Sequence, residues 1–182
     1  VGGAEHATRH LIYARFWHKF LFDIGVVNYE EPFKKFNHVG LIMGEDGRKM
    51  SKRWGNVINP DEMADRFGAD ALRVYEMFIG PFDQAAAWNT NGLSGVRKFL
   101  EKVERLVVNN PEKTVLIDRK LIGLLHKTIK KVSEDLENFH FNTAVSALMI
   151  LVNSLTDYLE KNKAWPCEPK SFGAILQILS PF

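Results

Sequence analysis

The sequence predicts an α/β stretch over residues 1–88 followed by an all-α helical bundle over residues 89–182. Three observations carry that division. A long apolar helical pattern near the start gives way to a short apolar run, Val39 to Met43, of strand rather than helix length. Gly80-Pro81 then opens an aperiodic segment, Pro81 to Asn91, which is the predicted loop and domain boundary. Beyond Asn91, apolar residues recur at three- and four-residue spacing to the end, the mark of amphipathic helices packed on one another.

Taken in order, Glu5 to Ile24 reads as one long helix, apolar around much of its circumference and stopped by Gly25 as a C-terminal cap. Such a helix is expected to pack on more than one side, with Tyr13, Phe16, Trp17, Phe20 and Phe22 as core. Asn28 to Lys35 is polar and holds a proline, so it is a connector. Phe36 to Met43 has the composition of a buried strand. Asn59-Pro60-Asp61-Glu62 is a helix start, with asparagine as N-cap, proline at the first helical position and acids in the first turn. That helix should stop at Gly68, and another should run from Asp70 to Ile79.

In the second half, Leu93, Val96, Leu100, Val103 and Val107 mark the first apolar face. Leu121, Leu124, Leu125, Thr128 and Val132 mark the second. Ala144, Leu148, Leu151, Leu155 and Tyr158 mark the third, begun by Asn142, and Pro169 to Leu179 is the fourth helix. Polar joints between these helices make an up-and-down bundle the natural arrangement. Trp88 and Trp165 read equally well as packing anchors and as base-stacking platforms.

The bulk properties exclude several classes. At 182 residues the chain can bury a core, and 46% apolar with 25% charged residues is the balance of a globular protein. A net charge of +2 gives no bulk electrostatic reason to bind nucleic acid, so any such contact must come from a local patch. Cys167 is the single cysteine, which excludes an internal disulfide and fits a reducing compartment. No apolar run reaches membrane-spanning length, and a cytoplasmic location is expected.

The richest chemistry lies in Lys49-Met50-Ser51-Lys52-Arg53, which follows the acidic glycine turn Gly44-Glu45-Asp46-Gly47. Two lysines and a serine on a short loop, with no carboxylate near enough in sequence to neutralise them, suit gripping polyphosphate oxygens. A basic pentamer alone is more often an exposed loop. Met50, between the lysines, is expected to plug the loop onto the protein. Gly2-Gly3 before Glu5 permits close approach of backbone to a nucleotide, and equally a tight turn with Glu5 at a helix start. His6 and His10 lie one helical turn apart, a spacing compatible with zinc, but no third ligand is evident; no metal site is expected, and His10 reads as a packed helix residue. Arg119, Lys120, His126, Lys127, Lys130 and Lys131 form a basic segment followed by Glu134, Asp135 and Glu137. Mixed charge of this kind is ordinary on a solvated helix face.

The pentamer resembles the lysine-rich signature loop of class I aminoacyl-tRNA synthetases, with Arg53 where the usual final serine stands. Gly55-Asn56-Val57-Ile58-Asn59-Pro60 resembles the sequel common in that class. Gly2-Gly3-Ala4-Glu5-His6-Ala7 and the run from His10 to Leu21 resemble the leucyl branch, as do Tyr75 to Pro81 and Phe141-Asn142-Thr143-Ala144. The resemblance covers essentially the whole chain. It implies the carboxy-terminal part of a Rossmann-like catalytic domain joined to a tRNA-binding helical domain. It implies ATP and Mg²⁺ as cofactors, leucine and tRNA(Leu) as partners, and leucine–tRNA ligase activity through leucyl-adenylate. Lys52, then Lys49, would stabilise charge on the leaving phosphates, with Ser51 bonding phosphate or holding the loop. Gly2, Gly3, Glu5, Ile42 and Met43 would contact ATP, His6 would border the leucine side chain, and Arg119, Lys127, Lys130 and Lys131 would meet tRNA phosphates.

Measured against that family the chain reads as a piece cut at both ends. It lacks the upstream half of the nucleotide fold with its His-Ile-Gly-His motif, and it shows no trace of the inserted editing domain. It is therefore expected to be silent alone. The competing expectations are the same chemistry with isoleucine, valine or methionine, and a non-catalytic module holding RNA or a partner.

Overall fold

The computed structural model describes residues 2–108, 116–166 and 169–182, with side chains in the last segment from Gly173 onward; Cys167 lies outside the described residues. The described residues are mostly helical, with four very short strands among them. Strand β1 (Gly2–Gly3) pairs in parallel with β2 (His38–Val39), and β3 (Ile42–Met43) pairs in parallel with β4 (Ala86–Ala87). The predicted strand Phe36 to Met43 is thus two pieces, one on each pair, broken at Gly40. Its backbone is pressed against the segment ahead of β4: a Cβ on Gly40 would lie 1.9 Å from the Gln84 carbonyl oxygen, and Gly40 N–H donates to Phe82 O at 2.9 Å. The run is also less buried than expected, with Phe36 and Leu41 exposed. The expected loop from Pro81 to Asn91 contains β4, whose two alanines carry no β signal of their own.

The first predicted helix is continuous but irregular. A 3₁₀ turn (Ala4–His6) and a wide π turn (Ala7–Leu11) lead into α1 (Ile12–Asp23). Gly25, at φ +76°, caps it: Val26 N–H reaches back to Leu21 O at 2.9 Å, the six-to-one bond of a Schellman ending. No residue of α1 is buried, which corrects the core assignment of its aromatic belt. Tyr13 and Phe16 are about two-thirds exposed, at 65% and 68%, and His10 is exposed as well. The helix is held instead by the connector, through Arg15 to Glu31 at 2.6 Å, Lys19 to Glu30 at 2.7 Å and His18 Nε2–H donating to Tyr29 O at 2.8 Å.

Helix α2 (Pro60–Phe67) begins as predicted, with the Asn59 side chain accepting from Asp61 N–H at 3.1 Å, and ends at Gly68 with φ +91°. Helix α3 (Ala69–Phe78) follows directly. The remaining helices are α4 (Thr90–Val108), α5 (Arg119–Glu137), α6 (Phe141–Asn162) and α7 (Pro169–Leu179). Asp118 caps α5 by accepting from Lys120 and Leu121 N–H at 2.8 and 3.0 Å. Helix α6 starts at Phe141, one residue before the predicted Asn142, with the His140 carbonyl accepting from Ala144 N–H at 3.2 Å.

One core joins α2 and α3 to the later helices. Met63, Ala71, Val74 and Tyr75 share it with Trp88, Leu93, Val96, Leu125, Val132 and Leu148. Full burial of each large aliphatic side chain contributes about 1.5–3 kcal/mol. The α4 stripe drifts from the expected one: Phe99 and Leu106 are buried, while Val107 is exposed. Trp88 and Trp165 are both buried, which favours the packing reading over base stacking. A second seam runs between the segment before β4 and the α5–α6 turn, where the rings of Phe82, Phe139 and Phe141 stand 5.2–5.3 Å apart. Phe139 holds φ +61°, an uncommon conformation for a bulky residue, sustained by those ring contacts. No described helix is long and apolar enough to cross a membrane.

Candidate functional site

The lysine-rich loop hangs from a hairpin built by its own sequence. Strand β3 runs into Gly44, the chain reverses over Glu45-Asp46-Gly47, and Met43 pairs with Lys49 as an antiparallel bridge. Gly44 N–H donates to Arg48 O at 2.8 Å, and Gly47 closes the turn at φ +71°, the left-handed region that glycine tolerates. Asp46 and Asn56 then fix the loop from within. Asp46 accepts from Arg48 N–H at 3.0 Å and from Asn56 Nδ2 at 3.0 Å, while Asn56 Oδ1 accepts from Ser51 N–H at 2.9 Å. These bonds, the Asn56 side chain first, hold the Asp46 carboxyl below its ordinary pKa.

Ser51 accepts from Arg53 N–H at 3.3 Å and so starts a short 3₁₀ turn, Lys52–Trp54, closed by Gly55 at φ +65°. Of its two expected roles, this bond belongs to holding the loop. Met50 is half-buried and packs on the core, the anchoring role expected of it. The loop's lysines, Lys49 and Lys52, remain exposed, and among the described residues Lys52 makes no ion pair or side-chain hydrogen bond. Arg53, in the place of the expected serine, lies over the exposed Trp54 ring at 5.2 Å, and Arg48 lies over it at 5.5 Å. The substituted arginine is therefore drawn to the indole.

The glycine corner meets this loop in space. The Glu5 carboxylate folds back over Gly3, where a Cβ would stand 2.6 Å from Glu5 Oε2. Its pKa is lowered by the hydrogen bond to its own backbone, and further by the charges of Lys49, His6 and His38. The sequence reading found no acid near the lysines; the fold supplies one from 44 residues upstream, a proximity that spacing along the chain cannot reveal. Gly2, Gly3, Glu5 and His6 thus form one corner of the α/β part, and the Lys49 charge acts on its Glu5 carboxylate. Ile42 is half-buried in β3, and the Met43 carbonyl accepts from Trp88 N–H at 3.0 Å. Among the described residues there is no group of three or more His, Cys, Asp and Glu arranged to hold a metal ion.

The basic segment of α5 is remote in sequence from this corner. Arg119, Lys120, His126, Lys127, Lys130 and Lys131 are all exposed, opposite the buried Leu125, Thr128 and Val132. Two of the charges are shared with acids one turn on: Lys130 with Glu134 at 3.7 Å, and Lys131 with the buried Asp135 at 2.9 Å. Arg119 and Lys127 have no ion-pair partner among the described residues.

Residues that the sequence reading passed over also shape the site. Glu45 accepts from Thr90 Oγ1 at 2.7 Å and from Thr90 N–H at 3.2 Å, across 45 residues. The signal available was an acid one residue from Asp46 in the turn, which did not by itself suggest a distant partner.

Known proteins share this sequence and fold. Residues 11–89 match the family of tRNA synthetases class I (I, L, M and V), and residues 118–182 match the anticodon-binding domain of tRNA ligase. The whole chain is 49% identical to a leucine–tRNA ligase of Pelodictyon phaeoclathratiforme and 47% identical to one of Prosthecochloris aestuarii. It spans 23% and 22% of their lengths. The LeuRS of Agrobacterium radiobacter K84, solved as a ternary complex with tRNA and LeuAMS, superposes on the whole chain with a TM-score of 0.85 at 36% identity, over 25% of its own length. The chain is thus similar over its entire length to part of the leucine–tRNA ligases, and its first half matches the class I tRNA synthetases.

Proposed function

We propose that the full-length protein activates leucine with ATP to leucyl-adenylate and transfers leucine to tRNA(Leu). The observation that supports this reading is the signature hairpin, on which Lys52 has no ion-pair partner among the described residues and the Lys49 charge acts on the Glu5 carboxylate. An ionised carboxylate attacks phosphorus without needing a general base, so catalysis rests on orientation and on stabilising charge as it moves to the leaving phosphates. Lys52 supplies that positive charge, with Lys49 beside it, and Ser51 holds the loop. ATP is the co-substrate and Mg²⁺ accompanies its phosphates. The glycine backbone at Gly2-Gly3 and the Glu5 carboxylate would receive the nucleoside end, with Ile42 and Met43 as the apolar slot, and His6 would border the leucine side chain. Exposed donors, an unpaired lysine and a corner open to solvent fit such a ligand. Residues 1–88 form the catalytic part and 89–182 the anticodon-binding-type part, in which Arg119, Lys127, Lys130 and Lys131 would meet tRNA phosphates.

The test is Lys52→Ala in the full-length protein. Adenylate formation should fall about 10²-fold or more, the scale of losing one preorganised charge donor, while leucine binding stays intact. Equal losses in both would make Lys52 structural and overturn its role.

A further inference from the structure

We infer that Glu45 is a positioning residue, which registers the signature hairpin against the start of α4 and so sets where Lys49 and Lys52 stand relative to the helical part. The inference rests on the reading above that these lysines serve leucine activation. The two neighbouring acids of the turn have separate duties. Asp46 bonds inward, through Asn56 to the Ser51 amide, and shapes the loop. Glu45 bonds outward, and one of its oxygens, Oε1, takes both donors of Thr90, the first residue of α4.

The cap of α4 does not need Glu45. Asn89 Oδ1 already accepts from Asn91 N–H at 2.9 Å and from Gly92 N–H at 3.4 Å, and the Asn89 amide itself donates to the buried Tyr75 hydroxyl at 2.9 Å. The strand before the hairpin is also tied to this place, since β3 pairs with β4 and Met43 O accepts from Trp88 N–H. Trp88 Nε1 in turn donates to Thr90 Oγ1 at 3.2 Å. Thr90 Oγ1 is therefore a relay, receiving from a buried indole and giving to the hairpin carboxylate. With β3 fixed on one side and Glu45 on the other, the hairpin cannot pivot about its base without breaking a charge-assisted bond. An exposed carboxylate adds little to stability, so its consequence should be read in catalysis.

The test is a double-mutant cycle in the full-length protein, with leucine-dependent ATP–pyrophosphate exchange and amide hydrogen exchange both read. Glu45→Ala and Thr90→Val should each lower kcat about three- to tenfold, with KM for leucine unchanged. Thr90→Val removes the hydroxyl bond and leaves the Thr90 N–H bond to Glu45, whereas Glu45→Ala removes both, so the double variant should be no worse than Glu45→Ala alone. Glu45→Gln, which keeps an acceptor, should recover most of the rate. Losses that multiply, an unchanged kcat, or a fall in thermal midpoint together with a rise in KM would overturn the proposal. Amide exchange separates its failure from that of the functional reading. Glu45→Ala should speed exchange at residues 44–49 and leave α5 and α6 unchanged, even if the parent shows no leucine-dependent activity; unchanged exchange at 44–49 would overturn the register.

Discussion

At the scale of single residues, the lysine loop is organised by small polar side chains rather than by burial. Asp46, Asn56 and Ser51 form one chain of bonds, and removing the middle member releases both ends. Asn56→Ala should therefore loosen the loop, read as faster amide exchange at Ser51, with thermal stability changed by less than about 1 kcal/mol because the site is exposed. Arg53 shows what a resemblance cannot settle. It stands where the signature usually has serine, and its guanidinium lies over Trp54. The lysines, the serine and the glycine corner were legible as residue types at known spacings. The Glu5–Lys49 proximity and the Glu45–Thr90 bonds were not, because each joins segments more than 40 residues apart and no local pattern encodes such a pairing.

At the scale of elements, helix ends were legible where the side chain that makes the cap is itself the signal. Asn59-Pro60 starts α2 and Gly25 ends α1 because those residues have few other uses. Strand β4 was hidden because two alanines pair through the backbone alone. Helix α1 was legible as a helix, but its burial was not, since an apolar circumference states what a helix can bury and not what covers it. The clasp that holds α1 titrates. Beside Arg15 and Lys19 the Glu31 carboxyl is lowered from 4.5 to about 2. A lowered folded pKa means the contribution is present above the unfolded value and is lost as pH falls from about 4.5 towards 2. Proton titration by NMR should show Glu31 protonating well after an unpaired glutamate, and Arg15→Gln should move its midpoint upward. Gly40 makes a separate steric prediction. Gly40→Ala would drive a methyl into the Gln84 backbone and should cost about 1–3 kcal/mol by thermal unfolding.

At the scale of the whole molecule, the helical part and the segment carrying α2 and α3 share one core, and the signature hairpin is attached to that core's edge. Leu148, fully buried, packs at its centre. In the 182-residue chain, Leu148→Ala should cost about 2–5 kcal/mol and lower amide protection together in α3, α4 and α6, whereas α1, with no buried residue in this chain, should exchange fast with or without the substitution. The hairpin is tied to the start of α4 through Glu45 and Thr90, and its Lys49 and Lys52 side chains are exposed. The most direct test of the account is amino-acid-dependent ATP–pyrophosphate exchange by the full-length protein with leucine, isoleucine, valine and methionine. Exchange with leucine far above the other three is the predicted result. Exchange led by another of the four would contradict the leucine assignment, and a folded protein silent with all of them would contradict the catalytic reading altogether.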